Sequence, residues 1–223
     1  MCGRYTLHTP LEIIEQIFRL LKDNASVAPS YNIAPSQESA IVMREDGGNR
    51  LRSCRWGFLP PWAKDAAGGH PMINARAETV VEKPAFREAF RTQRCLVVAD
   101  GFFEWRKEGK ARKPVYVRLR SGEPFGFAGL YSSWSSPEGE RLCTSAIITT
   151  GANDLVKPVH DRMPVIMPRG AHDLWLDPAV QDPERLLAVL KPFPAGELEL
   201  FDVSPRVNSP SNNSPENIVP LSL

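Results

Sequence analysis

Apolar and polar positions recur along this 223-residue chain with two different periods, and the switches between them mark its elements. LEIIEQIFRLL, from Leu11, has apolar residues three and four apart and predicts one amphipathic helix. SYNIAPSQ is rich in turn residues and predicts a loop. AIVMR and LRSCRWGF predict two strands around a turn at Asp46–Gly48. LPPWAKDAAGGHP predicts an irregular exposed loop, and KPAFREAFRTQ a short helix with Pro84 near its first turn. From Cys95 the pattern turns β: CLVVADGFFEW, PVYVRLR, PFGFAGLY and LCTSAIITT, separated by glycine, proline and charged clusters. GANDLVKPVHDRMPVIM predicts a short helix, a loop and a strand, LWL and PERLLAVL are helical, and ELELFDVS is a late strand.

Strands come in runs rather than in regular alternation with helices. That ordering predicts an α+β fold with a curved, mostly antiparallel, barrel-like sheet and short flanking helices. No repeat, heptad or long linker divides the chain, so residues 1–223 are expected to form a single domain. Its core spans about residues 1–208, and the turn-rich segment 209–223 wraps the surface as a tail.

Composition narrows the class. Hydrophobic residues make up 42% of the chain, enough for a core, and no apolar run approaches the ~20 residues of a membrane span. The amino terminus lacks a basic region followed by an apolar stretch, so a cytoplasmic location is expected, nucleoid-associated if the source is bacterial. The net charge of +1 excludes a blanket polycation but leaves room for a local basic groove. From Arg106 to Arg120 there are seven basic residues against the single acid Glu108, which fits either a solvated hairpin or a nucleic-acid face.

The four cysteines, Cys2, Cys54, Cys95 and Cys143, lie far apart without zinc-site spacing, so no metal site is expected and a disulfide framework is not. Cys54, Cys95 and Cys143 sit in apolar, strand-like contexts and read as buried small hydrophobes. Cys2 is placed unlike a core residue. A small residue after Met1 permits removal of the initiator, leaving Cys2 with a free α-amine two carbons from its thiol. A frayed chain end is the plainer alternative.

Three further segments are rich in functional groups. In INARAET, Asn74 and Arg76 share one side of an extended segment and can hold an oxygen-rich ligand; a turn-capping Asn and an Arg paired with Glu78 or another surface acid is the alternative. In ADGFFEW, Glu104 sits among three aromatics that can desolvate it and raise its pKa toward neutrality. The alternative is an exposed Glu on an alternating strand. In VHDRMP, His160 and Arg162 share parity, and a loop histidine can move a proton near pH 7 or simply make ordinary hydrogen bonds.

MCGRY, YNIAPSQ, RWGFLPPW, INARAET, ADGFFEW, ITTGAND, VHDRMPV and DVSPRVN occur in that order from residue 1 to about 208. Taken together, the chain resembles the SRAP (SOS response-associated peptidase) family, whose members crosslink to abasic sites in DNA. The resemblance implies that Cys2 is the covalent nucleophile, Asn74 positions it and the opened sugar, Glu104 shuttles protons, and His160 is a second acid/base. It implies that Arg4, Arg76 and Arg162 contact phosphates and that Trp62, Trp105 and Thr149 line the DNA path. The loop between Trp62 and Met72 looks longer and richer in Gly and Ala than the family pattern leads one to expect.

The partner implied is single-stranded DNA with abasic sites, bound without sequence preference by a monomer that uses no cofactor. The reaction implied is imine formation by the Cys2 amine, then closure by its thiol to a thiazolidine. A cysteine-type autopeptidase with Cys2 as nucleophile, or an abasic-site lyase acting through the imine, is the competing reading.

Overall fold

The computed structural model describes residues 2–22, 24–63, 72–136, 139 and 141–221. Three short elements open the chain: β1 (Tyr5–Leu7), α1 (Leu11–Phe18) and β2 (Ser30–Ile33). They are followed by β3 (Glu38–Glu45), β4 (Gly48–Trp56), β5 (Asn74–Arg76) and α2 (Arg87–Thr92). The central run is β6 (Arg94–Ala99), β7 (Gly101–Glu108), β8 (Ala111–Leu119), β9 (Phe125–Ser135) and β10 (Arg141–Gly151). The chain then continues through β11 (Arg162–Pro164), β12 (Ile166–Met167), α3 (His172–Leu176), α4 (Pro183–Leu187) and β13 (Leu198–Asp202).

Five of these strands close on themselves. β4 pairs with β3, β3 with β6, β6 with β9, β9 with β10, and β10 returns to β4. All of these pairings are antiparallel except the closing one between β10 and β4. A second, five-stranded sheet runs β13-β8-β7-β1-β2. Tyr5 of β1 joins the two, its ring edge-on to Trp56 of the barrel at 5.1 Å and its hydroxyl donating to Ser39 at 2.8 Å. The expected α+β class with a curved, mostly antiparallel sheet is what forms.

Local chemistry explains the main features. Between β3 and β4, Asp46 and Gly47 both take positive φ, the two-residue turn whose twist matches a hairpin. α1 ends at Arg19 in the left-handed conformation, earlier than the apolar spacing predicts. At the β6–β7 junction Asp100 accepts from Thr9 N at 3.0 Å and Thr9 Oγ1 at 2.6 Å, while a Cβ at Gly101 would collide with the Tyr116 ring.

Three expectations are corrected. SYNIAPSQ is not all loop: Ser30–Ile33 extends and pairs with β1. GANDLVK forms no helix, because Asn153 Oδ1 accepts from Val156 N at 3.0 Å and starts a run of turns through Val159. Cys54 and Cys143 are disulfide-bonded rather than thiols, with Cα atoms 4.7 Å apart. The parallel pairing of β10 on β4 (Thr144 beside Arg55) brings these two residues together from 89 positions apart.

Candidate functional site

β1 begins three residues after Cys2, so its place in the sheet sets where the chain's first residues lie. β1 pairs with β7, Tyr5 beside Phe102, and Phe103 N donates to Arg4 O at 3.0 Å. Carrying that antiparallel register one step further brings Glu104 alongside Gly3. Cys2 itself is fully buried within the main core, unlike the frayed end that position 2 suggests.

Strand alternation alone leaves Glu104 exposed; in the fold it is 3% exposed. Both faces of β7 are covered. Phe102 packs into the main core, while Phe103 and Trp105 pack on the opposite side against Val203, Val207 and Ile218. Glu104 shares the side of Phe102. Burial pushes its carboxyl up to about 7, against the opposing pull of the amino-terminal charge. The same burial, with the Glu104 charge adding to it, raises the Cys2 thiol well above its usual range.

Asn74 reaches this pair from β5, a three-strand-residue segment held parallel to β10 with Asn74 beside Ile147. Its Nδ2 donates to Cys2 O at 3.0 Å. Its Oδ1 is buried and has no hydrogen-bond partner among the described residues.

His160 is half-buried and its pKa is lowered, first by desolvation, then by the amino-terminal charge, with Arg112 adding to it. Two contacts compete for its Nδ1. Arg162 N donates to it at 3.0 Å, whereas Asp161 Oδ1, 2.9 Å away, would need a proton on that nitrogen. Asp161 is largely exposed and its attraction is screened, so the neutral ring that accepts from Arg162 N prevails at neutral pH.

The remaining candidates form two groups around this centre. Thr149 lies beside Arg76 in the β5–β10 register, and Arg162 donates to Thr149 O at 2.7 Å and Oγ1 at 3.1 Å. Arg162 also forms a two-pronged pair with Glu78 at 2.8 and 3.0 Å, which lowers the Glu78 carboxyl. The ion pair on Glu78 is thus made by Arg162, while Arg76 stays exposed and adds only its charge. On the other side, Arg4 Nη1 donates to Asn32 Oδ1 at 2.7 Å and Val207 O at 2.8 Å, and the guanidinium lies 5.9 Å from the Trp105 ring. Trp105 Nε1 donates to Asn208 Oδ1 at 2.8 Å.

Trp62 is 68% exposed, next to Ala63, whose carbonyl accepts from Trp134 Nε1 at 2.7 Å. Most of the loop between Trp62 and Met72, expected to be longer than in the family, lies outside the described residues, as does Met1. A groove of 620 Å³ between Phe125, Met167, His172 and Phe193 is separate from all of these residues.

Sequence reasoning missed Asn32 and the partnership of Glu78. Asn32 is 1% exposed, accepts from Arg4, and donates to Val207 O, Ser209 O and Asn212 O at 3.3, 2.9 and 2.7 Å. The signal was an Asn inside YNIAPSQ, which turn propensity alone explained.

The family profile described as SOS response associated peptidase (SRAP) matches residues 1–210. The chain belongs to the SRAP family. Among its SRAP relatives is abasic site processing protein YoqW of Bacillus subtilis, 45% identical over 221 residues, covering 98% of this chain and 99% of that protein. Abasic site processing protein HMCES of Rattus norvegicus is 28% identical over 273 residues, covering 100% of this chain and 77% of that protein. The fold is similar to that in an X-ray crystal structure of a protein from Bacteroides thetaiotaomicron, with a TM-score of 0.90 and 26% identity over 99% of this chain and all of that one.

Proposed function

We propose that this protein binds single-stranded DNA at abasic sites and links itself covalently to the lesion through Cys2 once Met1 has been removed. The observation that carries the reading is the convergence of Cys2, Asn74 and Glu104: the Cys2 carbonyl held by Asn74, beside a buried carboxyl poised near neutrality. The names of the YoqW and HMCES relatives support abasic DNA as the substrate.

The chemistry follows from the groups present. The Cys2 α-amine attacks the aldehyde of the opened sugar, and the carbinolamine loses water to give an imine. The thiol then adds to the imine carbon and its proton passes to the nitrogen, closing a five-membered thiazolidine. Closure is intramolecular, so high effective molarity favours it. A thiol kept protonated by burial suits this order, because the amine acts first.

Glu104, near its own pKa at neutral pH, takes a proton from the ammonium and returns one to the departing water. Asn74 fixes the cysteine backbone, and its Oδ1 accepts from the amine or a sugar hydroxyl. His160, neutral and with Nδ1 engaged by Arg162 N, offers Nε2–H to the sugar. Arg76, exposed, holds a flanking phosphate beside Thr149, which Arg162 positions while its fork rests on Glu78; Arg4 holds the chain near the reacting sugar, and Trp62 and Trp105 line the strand's path.

Two observations weigh against the autopeptidase reading. A cysteine peptidase needs a lowered thiol pKa, and here it is raised. Asn74 donates to the Cys2 carbonyl, whereas cleavage after Met1 would need a donor on the carbonyl of Met1.

The test is incubation with a single-stranded oligonucleotide carrying one abasic site, followed by a denaturing gel. A shifted band with wild type that disappears in Cys2→Ala is expected. No band with wild type would overturn the reading.

A further inference from the structure

The β7–β8 hairpin ends in three cations that no acid among the described residues neutralises. Its other basic residues are paired: Arg106 with Asp202, Lys113 with Glu108 at 2.5 Å, and Arg118 with Glu199 at 2.6 Å. Lys107, Lys110 and Arg112 are exposed and have no acidic partner among the described residues. Lys107 and Arg112 are register partners on the two strands, closed by the two-residue turn at Gly109–Lys110, where Gly109 takes φ +60. Like charges directly opposite each other across a hairpin destabilise it. Mere solvation of a surface hairpin accounts for exposed lysines, but not for two opposed cations left unpaired while their neighbours are matched.

Their position points to the ligand. Along the strands, alternate pairs share a face: Phe103 with Tyr116, Trp105 with Pro114, then Lys107 with Arg112. Trp105 is the residue over which Arg4 lies, two residues from Cys2. The basic end thus continues the face bearing Trp105, with the Lys107–Arg112 pair about 7 Å and the turn about 13 Å beyond it at about 3.3 Å per residue. Arg112 is also close enough for its charge to act on His160.

We propose that Lys107, Lys110 and Arg112 form a phosphate-binding extension of the site, gripping the DNA backbone on one flank of the abasic nucleotide. The inference rests on the reading of the site as one for abasic DNA and adds the direction in which the strand leaves it. Contacts to phosphate alone read no base, so the extension strengthens binding irrespective of sequence.

The test uses the full chain and fluorescent single-stranded oligonucleotides containing a tetrahydrofuran abasic analogue, which binds without reacting. One oligonucleotide carries long flanks on both sides; two others lack one flank each. Affinity is followed against salt for wild type, Lys107→Ala/Lys110→Ala/Arg112→Ala, and Lys107→Arg/Lys110→Arg/Arg112→Lys. On the long strand the alanine variant should lose about 2 from the slope of log K against log salt, since each phosphate contact contributes about 0.7 for single strands. The charge-preserving variant should keep the wild-type slope. The loss should persist with one truncated strand and vanish with the other. The alanine variant should melt no lower than wild type, because it relieves an unfavourable pairing.

Equal slopes for wild type and the alanine variant on the long strand, with wild type binding normally, would overturn the extension alone. Failure of wild type to bind any of these strands or to crosslink an abasic one would overturn the underlying site reading as well.

Discussion

The Asn74 side chain donates to the backbone carbonyl of Cys2 at 3.0 Å, joining segments 72 residues apart. That bond fixes the reacting residue through its main chain rather than through its amine or thiol. Asn74→Ala should retain the fold and DNA binding but slow crosslink formation at least tenfold, read as a first-order rate at saturating abasic DNA. An unchanged rate would remove Asn74 from the positioning of Cys2.

Glu104 sets the pH dependence. With a folded-state pKa of about 7, against a reference near 4.3, the native state favours the protonated carboxyl. The unfolded chain then binds fewer protons than the native state between those values, so stability falls as pH rises from about 4.5 to 7, by up to about 1.4 kcal/mol per pH unit. Glu104→Gln should remove this fall, giving a higher melting temperature than wild type at pH 8 but not at pH 4. In the same variant the crosslinking rate should drop and lose its inflection near pH 7.

Asn32 ties the start of the chain to its end. Replacing it by alanine takes an acceptor from Arg4 and donors from three carbonyls of the segment 207–212. Asn32→Ala should lower unfolding stability by roughly 2–4 kcal/mol in a denaturant titration, because buried polar groups are left without partners. Crosslinking should weaken with it, since Arg4 and Trp105 lose the strap they rest on.

The Cys54–Cys143 bond closes a loop of 89 residues between β4 and β10. Constraint of the unfolded chain on that scale is worth about 2–4 kcal/mol. Cys54→Ser/Cys143→Ser should therefore unfold at lower denaturant than wild type under oxidising conditions. The two proteins should converge when wild type is reduced.

How far the sequence could be read depended on whether the deciding contact was local. The β3–β4 hairpin was legible because Asp46, Gly47 and Gly48 carry their own turn chemistry. Glu104 was ambiguous because period-two alternation describes one covered face. β7 is covered on both, by the main core and by Val203, Val207 and Ile218 from the far end of the chain. The Cys54–Cys143 pairing was not legible, since it depends on the parallel closure of β10 on β4, which no local pattern encodes. Ser30–Ile33 read as loop because its extended form comes from pairing with β1 rather than from its own residues. The segments around Asn74, Glu104 and His160 were found by their chemistry, but that Arg162 spends its fork on Glu78 and Arg4 reaches Asn32 needed the fold.

In the proposed reaction Cys2 uses its amine and its thiol together. Intact-mass spectrometry of the denatured adduct with an abasic oligonucleotide, with and without borohydride, tests it most directly. The expected mass is that of the chain without Met1 plus that of the oligonucleotide minus one water, unchanged by borohydride because a closed thiazolidine has no imine to reduce. No adduct should form when an extra residue precedes Cys2. An adduct that gains two hydrogens on reduction, or one that forms equally well with the amine blocked, would contradict it.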